Sequence, residues 1–474
     1  MNQRYHTIII GAGMSGLAAG IRLAYYEKPV LILERHTTIG GLNSFYRLRG
    51  RNYDVGLHAV TNYAPPGTKS GPLAKLLKQL RLRWEDFDLS PQVGSKVIFP
   101  GRTLSFDNDH AHFVDDVAQV FPAQADRFRK LVETINSFNE LDLSQEPVSA
   151  RLVLEQHLSD PVLIDMLFCP TMFYGSAIPR DMDFSQFVIM YKALFQQGFA
   201  RPYDGVRRIL KTLVRHYKEL KGELRLRQDV TGISITNGRA DGVFVRDGEN
   251  TIKIEADNVL SSAGSWETMQ LCPRGVGFEP VGSQAGSRCH GEISFCETIY
   301  SLDRQPSELG HNETIIFYND SERFAYEPPA DLCDVRSGII CSPNNFRYAE
   351  GAEPLEGTVR ITALANPEKW MKLPAEDYVA QKQHWEQRMI ASALSVMPDF
   401  RPAIVDSDMF TPKTIYRFTG HHLGAVYGAP HKWLTGETPY RNLFLCGTDQ
   451  GFLGIIGSML SGVTMANNHL LREG

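Results

Sequence analysis

Residues 5–34 read YHTIIIGAGMSGLAAGIRLAYYEKPVLILE, and the order of their parts decides the fold. Residues 5–10 form an apolar run of strand length, and Gly11-Ala12-Gly13-Met14-Ser15-Gly16 follows at once. Residues 17–26 carry helix formers, and residues 29–34 make a second apolar run that ends on Glu34. Strand, glycine turn, helix, strand and acid in this register are the βαβ fingerprint of a dinucleotide site. Gly11 permits the tight turn out of the first strand, Gly13 leaves the backbone open to a pyrophosphate, and Gly16 lets the helix pack closely on the strand. The helix N-terminus, with Ser15 in its first turn, presents unpaired N–H groups and partial positive charge to phosphate. Glu34 lies 18 residues after Gly16, where a carboxylate can accept from ribose hydroxyls.

Gly40-Gly41 follows Glu34-Arg35 closely, and Tyr53-Asp54-Val55-Gly56 comes next. The run Glu34-Arg35, Gly40-Gly41, Asp54-x-Gly56 resembles the flavoprotein superfamily that includes amine oxidases, Rab GDP-dissociation inhibitors, and phytoene desaturases with their relatives. The resemblance implies FAD as cofactor, with Gly11, Gly13, Ser15, Gly16, Glu34, Arg35, Gly40 and Gly41 around its ADP half. A single βαβ unit cannot hold so long a molecule. Residues 441–449, RNLFLCGTD, read as a buried strand running into a turn, and residues 451–466 as a glycine-rich helix start. In the superfamily such a unit cradles the ribityl chain and the flavin ring. This implies Gly447, Asp449, Gly454, Ile455 and Ile456 as cofactor residues, with Asp449 accepting from a ribityl hydroxyl. Gly454-Ile455-Ile456-Gly457 resembles the Gly-Ile-Pro-Gly piece of bacterial phytoene desaturases, with Ile456 where that family often has proline. Between these segments, a helix after Gly205, a strand over 224–227, a hairpin over 230–245 and a return strand over 256–264 repeat the phytoene desaturase order, which implies that the Val230 backbone lies beside the adenine. Residues 411–418 and 424–428 resemble the carotenoid isomerase and desaturase branch specifically.

The expected fold is α/β: a Rossmann-like FAD-binding domain from residues 1–62, 200–266 and 432–474, and a discontinuous α+β substrate-binding domain from 63–199 and 267–431. The net charge of −5 argues against a general nucleic-acid partner. Seven dispersed cysteines point to reduced thiols, and the early first strand leaves no room for a secretory signal, so a cytoplasmic setting is expected. Residues 450–471 are too polar for a membrane span. Residues 73–84 alternate leucines with Lys75, Lys78, Arg81 and Arg83, as in an amphipathic helix. Such a helix is either a solvated face with an apolar underside or a peripheral, monotopic membrane contact.

No Ser-His-Asp set and no metal-spaced cluster is evident, which fits chemistry carried by a cofactor. Residues 168–199 are rich in Phe, Tyr and Met, as suits either a helical core or the wall of a tunnel for an extended apolar ligand. The resemblance implies oxidoreduction at carbon–carbon bonds of a polyene or isoprenoid: desaturation, or isomerisation or saturation with reduced flavin. It also implies His58 near the flavin as the candidate acid or base. The electron acceptor stays open. Two other readings remain: an amine or small-molecule oxidase, and a prenyl-binding escort protein without redox chemistry. Tyr427, Trp433 and Tyr440 are either packing and loop-anchoring residues or the members of an aromatic cage.

Overall fold

The computed structural model describes residues 4–140, 142, 146–273, 290–352 and 354–472. Parts of both expected domains, including residues 274–289, lie outside these. Two seven-stranded sheets organise the chain. The first contains β1 (Tyr5–Ile10), β2 (Val30–Glu34), β3 (Glu223–Leu226), β4 (Val230–Thr236), β5 (Arg239–Asp247), β6 (Asn250–Ser261) and β7 (Leu443–Leu445). Its parallel part runs β3-β2-β1-β6-β7. β1 and β2 are almost wholly buried, as central strands of a parallel sheet covered on both faces must be. The 12-residue β6 does two jobs: its first half pairs antiparallel with β5, and its second half pairs parallel with β1 and β7.

Five helices frame the hollows of the molecule: α1 (Met14–Tyr25), α2 (Pro72–Leu80), α3 (Pro161–Gly175), α4 (Val206–Glu219) and α5 (Gly454–Met465). α1 lies against α4 and α5. The Tyr217 hydroxyl of α4 donates to the Val30 carbonyl at 2.9 Å, which ties α4 to β2. A side-chain carbon at Gly462 of α5 would overlap the Ser15 carbonyl of α1, so the two helices meet backbone to backbone there.

The second sheet is almost entirely antiparallel, in the order 404–410, 294–302, 357–365, 333–341, 315–319, 95–99, 102–106. Its one parallel pairing joins 95–99 to 315–319. The helix expected over 73–84 stops at Leu80, because Arg81 adopts a left-handed conformation (φ 57°). Leu73, Leu76, Leu77 and Leu80 are buried in one core with Met459 and Val463 of α5. The apolar underside of α2 is thus spent on the protein itself. Among the described residues no helix is long and apolar enough to cross a membrane. Most of the aromatic residues between 168 and 199 are core: α3 is buried from Leu163 to Gly175.

Gly16 is the tightest point of the first turn, since a side-chain carbon there would overlap the Gly11 carbonyl oxygen. Gly16→Val is expected to destabilise the apo protein by about 1–3 kcal/mol through overpacking. Urea unfolding of the flavin-free protein checks this, and an unchanged midpoint would refute it.

Candidate active site

A cleft of about 1170 Å³ opens above the C-terminal ends of β1 and β2. Gly11 turns out of β1 at φ 99°, a conformation that costs other residues, and Gly40 does the same at φ 110°. The Gly40 amide donates to the Ala12 carbonyl at 2.9 Å, which brings the two glycine turns side by side. A carbon added to Gly13 meets nothing within 4 Å, and one added to Gly41 meets only the Gly13 Cα at 3.8 Å. The gap between them is therefore open and walled by backbone. The N-terminus of α1 adjoins it, with no acid in its first turn. Glu34 is buried, its two oxygens accepting from the Ala12 and His36 amides at 2.9 Å each, and it lines the same cleft. Backbone donors, a helix N-terminus and a buried carboxylate at the far end suit a pyrophosphate and a ribose.

Of the residues singled out in the sequence, Gly11, Gly13, Ser15, Glu34, Arg35, Gly40, Gly41, Val230 and Gly447 line this cleft. Gly16 sits behind it. Gly454 and Ile455 line a second cavity, of about 1060 Å³, together with His58. Leu42, Asn43, Thr448 and Ser458 border both cavities, so the two are contiguous. Two of the singled-out residues lie off both linings. Ile456 borders neither cavity; it is fully buried in the core shared by α1 and α5. Asp449 also borders neither. Its carboxylate accepts from the Ser265 amide at 2.6 Å and the Ala429 amide at 2.7 Å, and stands 3.8 Å from Lys432. It anchors two loops beneath the cleft, a task that a buried carboxylate with two N–H partners performs well. Nor do the three aromatic residues form a cage. Tyr427 lines the second cavity, whereas Trp433 and Tyr440 pack under the first sheet.

The second cavity is walled by apolar side chains, Phe173, Phe295, Ile339, Phe410 and Val426 among them. Its polar floor rests on a buried charge network that sequence reasoning misses. Arg201 donates to Asp54 at 2.6 Å and to the Leu57 carbonyl at 2.8 Å. Arg360 donates to the same Leu57 carbonyl at 2.7 Å and pairs with Glu297. Asp54 also accepts from the Val206 amide at the start of α4, at 3.3 Å. Beyond Asp54 of the Asp54-x-Gly56 run, the signal in the sequence is a charge inside strands that otherwise read apolar, as in Val359-Arg360-Ile361. These contacts fix the turn that carries His58.

His58 Nε2 lies 2.8 Å from Thr362 Oγ1. Burial lowers its pKa well below the ordinary value, and Arg360 and Arg201 push the same way. Its 3.9 Å approach to Glu297 is therefore no ion pair, and the imidazole is neutral at physiological pH. Burial raises Glu297, against the pull of Arg360. Tyr174, also on the wall, is held protonated by burial, and its buried hydroxyl has no hydrogen-bond partner among the described residues.

Above the first cleft, His421 and Glu267 face each other with Nδ1 3.7 Å from the carboxylate. Nothing near His421 in the chain points to this partner, because Glu267 comes from a segment 154 residues earlier (421 − 267). Burial opposes charge on both groups, but the pairing outweighs it: His421 is raised and Glu267 lowered.

The model of the flavin containing amine oxidoreductase family matches residues 14–281, more than half of the chain. The chain belongs to this family. FAD is its cofactor, and the cleft's open glycine gap and contiguous second cavity fit so long a molecule. Over 98% of its length the chain is 23% identical to all-trans-retinol 13,14-reductase of Danio rerio, covering 86% of that protein. It is 22% identical to chloroplastic prolycopene isomerase of Arabidopsis thaliana, over 98% of this chain and 82% of the other. Among solved structures, an oxidoreductase from Methanosarcina mazei superposes with a TM-score of 0.67 at 16% identity, covering 98% of this chain and all of that one. Cyclohexylamine oxidase from Brevibacterium oxydans gives 0.64 at 14% identity, over 99% and 98%. The shared fold spans branches with different chemistry, so the substrate side must be argued from the cavity.

Gly13→Ala is expected to leave apo stability within about 0.5 kcal/mol, because the added methyl meets no atom. It should nonetheless weaken FAD retention, measured by flavin fluorescence during dialysis; equal retention would remove Gly13 from the cradle. The His421–Glu267 pair gives a pH signature. A raised histidine stabilises fully below its ordinary value of 6.5 and ceases to as pH rises through its folded value. A lowered glutamate stabilises fully above 4.5 and ceases to as pH falls through its folded value. The stability gap between the parent protein and His421→Gln should therefore be widest between pH 4.5 and 6.5 and narrow as pH rises further. Thermal unfolding across pH decides this, and a constant gap would refute it.

Proposed function

We propose that this protein is an FAD-dependent oxidoreductase acting on carbon–carbon bonds of an apolar polyene or isoprenoid. The observation that carries the reading is the second cavity, apolar on its walls and contiguous with the cofactor cleft. A soluble amine finds little there. Among the described residues the one carboxylate on the wall, Glu297, is paired with Arg360, so its charge is countered at the place where a cation would need it. The near full-length similarity to proteins named as a retinol reductase and a prolycopene isomerase supports the same substrate class. The intact glycine gap weighs against the escort reading.

We infer further that residues 1–62, 200–266 and 432–474 form the cofactor domain, since every strand of the first sheet falls within them. In this reading Gly11, Gly13, Ser15, Glu34, Gly40, Gly41 and the Val230 backbone hold the ADP half, and Gly447, Gly454 and Ile455 border the remainder. FAD, when bound, supplies hydride transfer to or from carbon. The chain supplies the rest. Phe173, Phe295 and Phe410 exclude water and hold an extended apolar chain. Neutral His58, steadied by Thr362, can take or return a proton at its imidazole. Tyr174, kept protonated, offers a hydroxyl on the same wall.

The test begins with the purified protein's visible spectrum before and after denaturation, with an organic extract alongside. A flavin released without covalent attachment, a co-extracted polyene and turnover of polyenes in micelles are expected. Peroxide release from a soluble amine without response to polyenes would overturn the reading. His58→Ala should lower turnover about 10²–10⁴-fold with the flavin spectrum unchanged, the range for a lost acid or base. A change of only a few-fold would reduce His58 to a packing residue.

A further inference from the structure

A third cavity, of about 1570 Å³, lies between the N-terminal end of α2, residues 189–197 and α5. Its floor is apolar: Ile189, Met190, Phe452, Leu453 and Leu460. Its rim is cationic. Lys69, Lys75, Lys78 and Lys192 border it, against the single acid Glu140, in a protein whose net charge is −5. Glu140 is taken by Lys192 at 2.8 Å. Lys69, Lys75 and Lys78 are exposed and form no salt bridge to any described residue. The N-terminus of α2 adds to this charge. It opens at Gly71 with no side-chain cap and no acid in the first turn, so its amides and partial positive charge are uncompensated. Thr61 borders both this cavity and the inner, apolar one.

We propose that this cavity binds a single-chain amphiphile with a carboxylate or phosphate at one end. The anion sits among Lys69, Lys75, Lys78 and the first turn of α2, and the tail runs over Phe452 and Leu453 toward Thr61. The site deepens the function proposed above, and rests on it for the direction in which the tail runs. The apolar underside of α2 is buried against α5, so a lysine face laid flat on a lipid surface would have no leucines to insert. An apolar floor beside a cationic rim instead fits one molecule with both characters.

The flavin-loaded protein is titrated with cis-parinaric acid, a carboxylate-ended polyene whose fluorescence rises in an apolar site, and with the corresponding alcohol. The acid should bind at least about tenfold more tightly than the alcohol, the sum of a few exposed ion pairs, and the advantage should shrink with added salt. Lys69→Glu, Lys75→Glu and Lys78→Glu combined should abolish the preference while leaving alcohol binding and the flavin spectrum unchanged. Competition by dodecyl phosphate, stronger or weaker than by dodecanoate, then identifies which anion the rim prefers; competition by neither overturns the site. Equal binding of acid and alcohol overturns it too. So does a triple variant that keeps the preference and loses only flotation with phosphatidylglycerol vesicles, which would make the lysines a lipid-surface contact. A neutral polyene that perturbs the flavin band in the same variant shows that the inner cavity survives even if this site fails. Loss of that response in the parent protein counts against the proposed function instead.

Discussion

The carbonyl oxygen of Leu57 accepts from two buried guanidinium groups at once, Arg201 at 2.8 Å and Arg360 at 2.7 Å. Much else hangs on this point. Arg360 comes from the second sheet and is neutralised by Glu297; Arg201 adjoins the start of α4 and is neutralised by Asp54. The second sheet and the segment that leads into α4 thus meet on one short turn, and that turn carries His58. Charges so deeply buried are costly to desolvate, and removing one partner of such a pair typically costs about 3–5 kcal/mol. Their worth is positional. They hold a neutral histidine and an apolar cavity beside a flavin cleft, where loosely held backbone would admit water.

The arrangement separates two environments within one continuous hollow. In the cleft above β1 and β2, exposed backbone amides and a helix N-terminus make a surface suited to phosphate. Across Leu42, Asn43, Thr448 and Ser458 the lining changes to aromatic and branched side chains. The polar groups of the inner part, His58, Tyr174 and Glu297, are all shifted by burial toward their neutral forms. A site that suppresses charge in this way suits a substrate with none.

Local periodicity is enough to read β1, α1, β2, α4 and the hairpin of β4 and β5, because each buries a face whose pattern repeats along a short segment. It fails where tertiary contacts override the pattern. Residues 73–84 show helical alternation throughout, yet Arg81 turns left-handed and ends α2, and its leucines pack on α5. The place of Asp449 in the C-terminal strand–helix unit suggests a cofactor residue, and its carboxylate also accepts from Ser265 and Ala429, which no local pattern connects to it.

By itself the sequence determined the βαβ unit, since a strand, a glycine turn whose Gly16 leaves no room for a side chain, a helix, a second strand and an acid leave few alternatives for 30 residues of chain. It also determined the family, through motifs spread along the length. Only the tertiary structure decided what surrounds the reacting end. Arg201, Arg360, Glu297 and Asp54 come from four separated segments, and His421 finds Glu267 across 154 residues (421 − 267). Such pairs leave no periodic trace. A buried charge is set by what folds against it, and that partner is chosen by the packing of whole sheets rather than by neighbours in the chain.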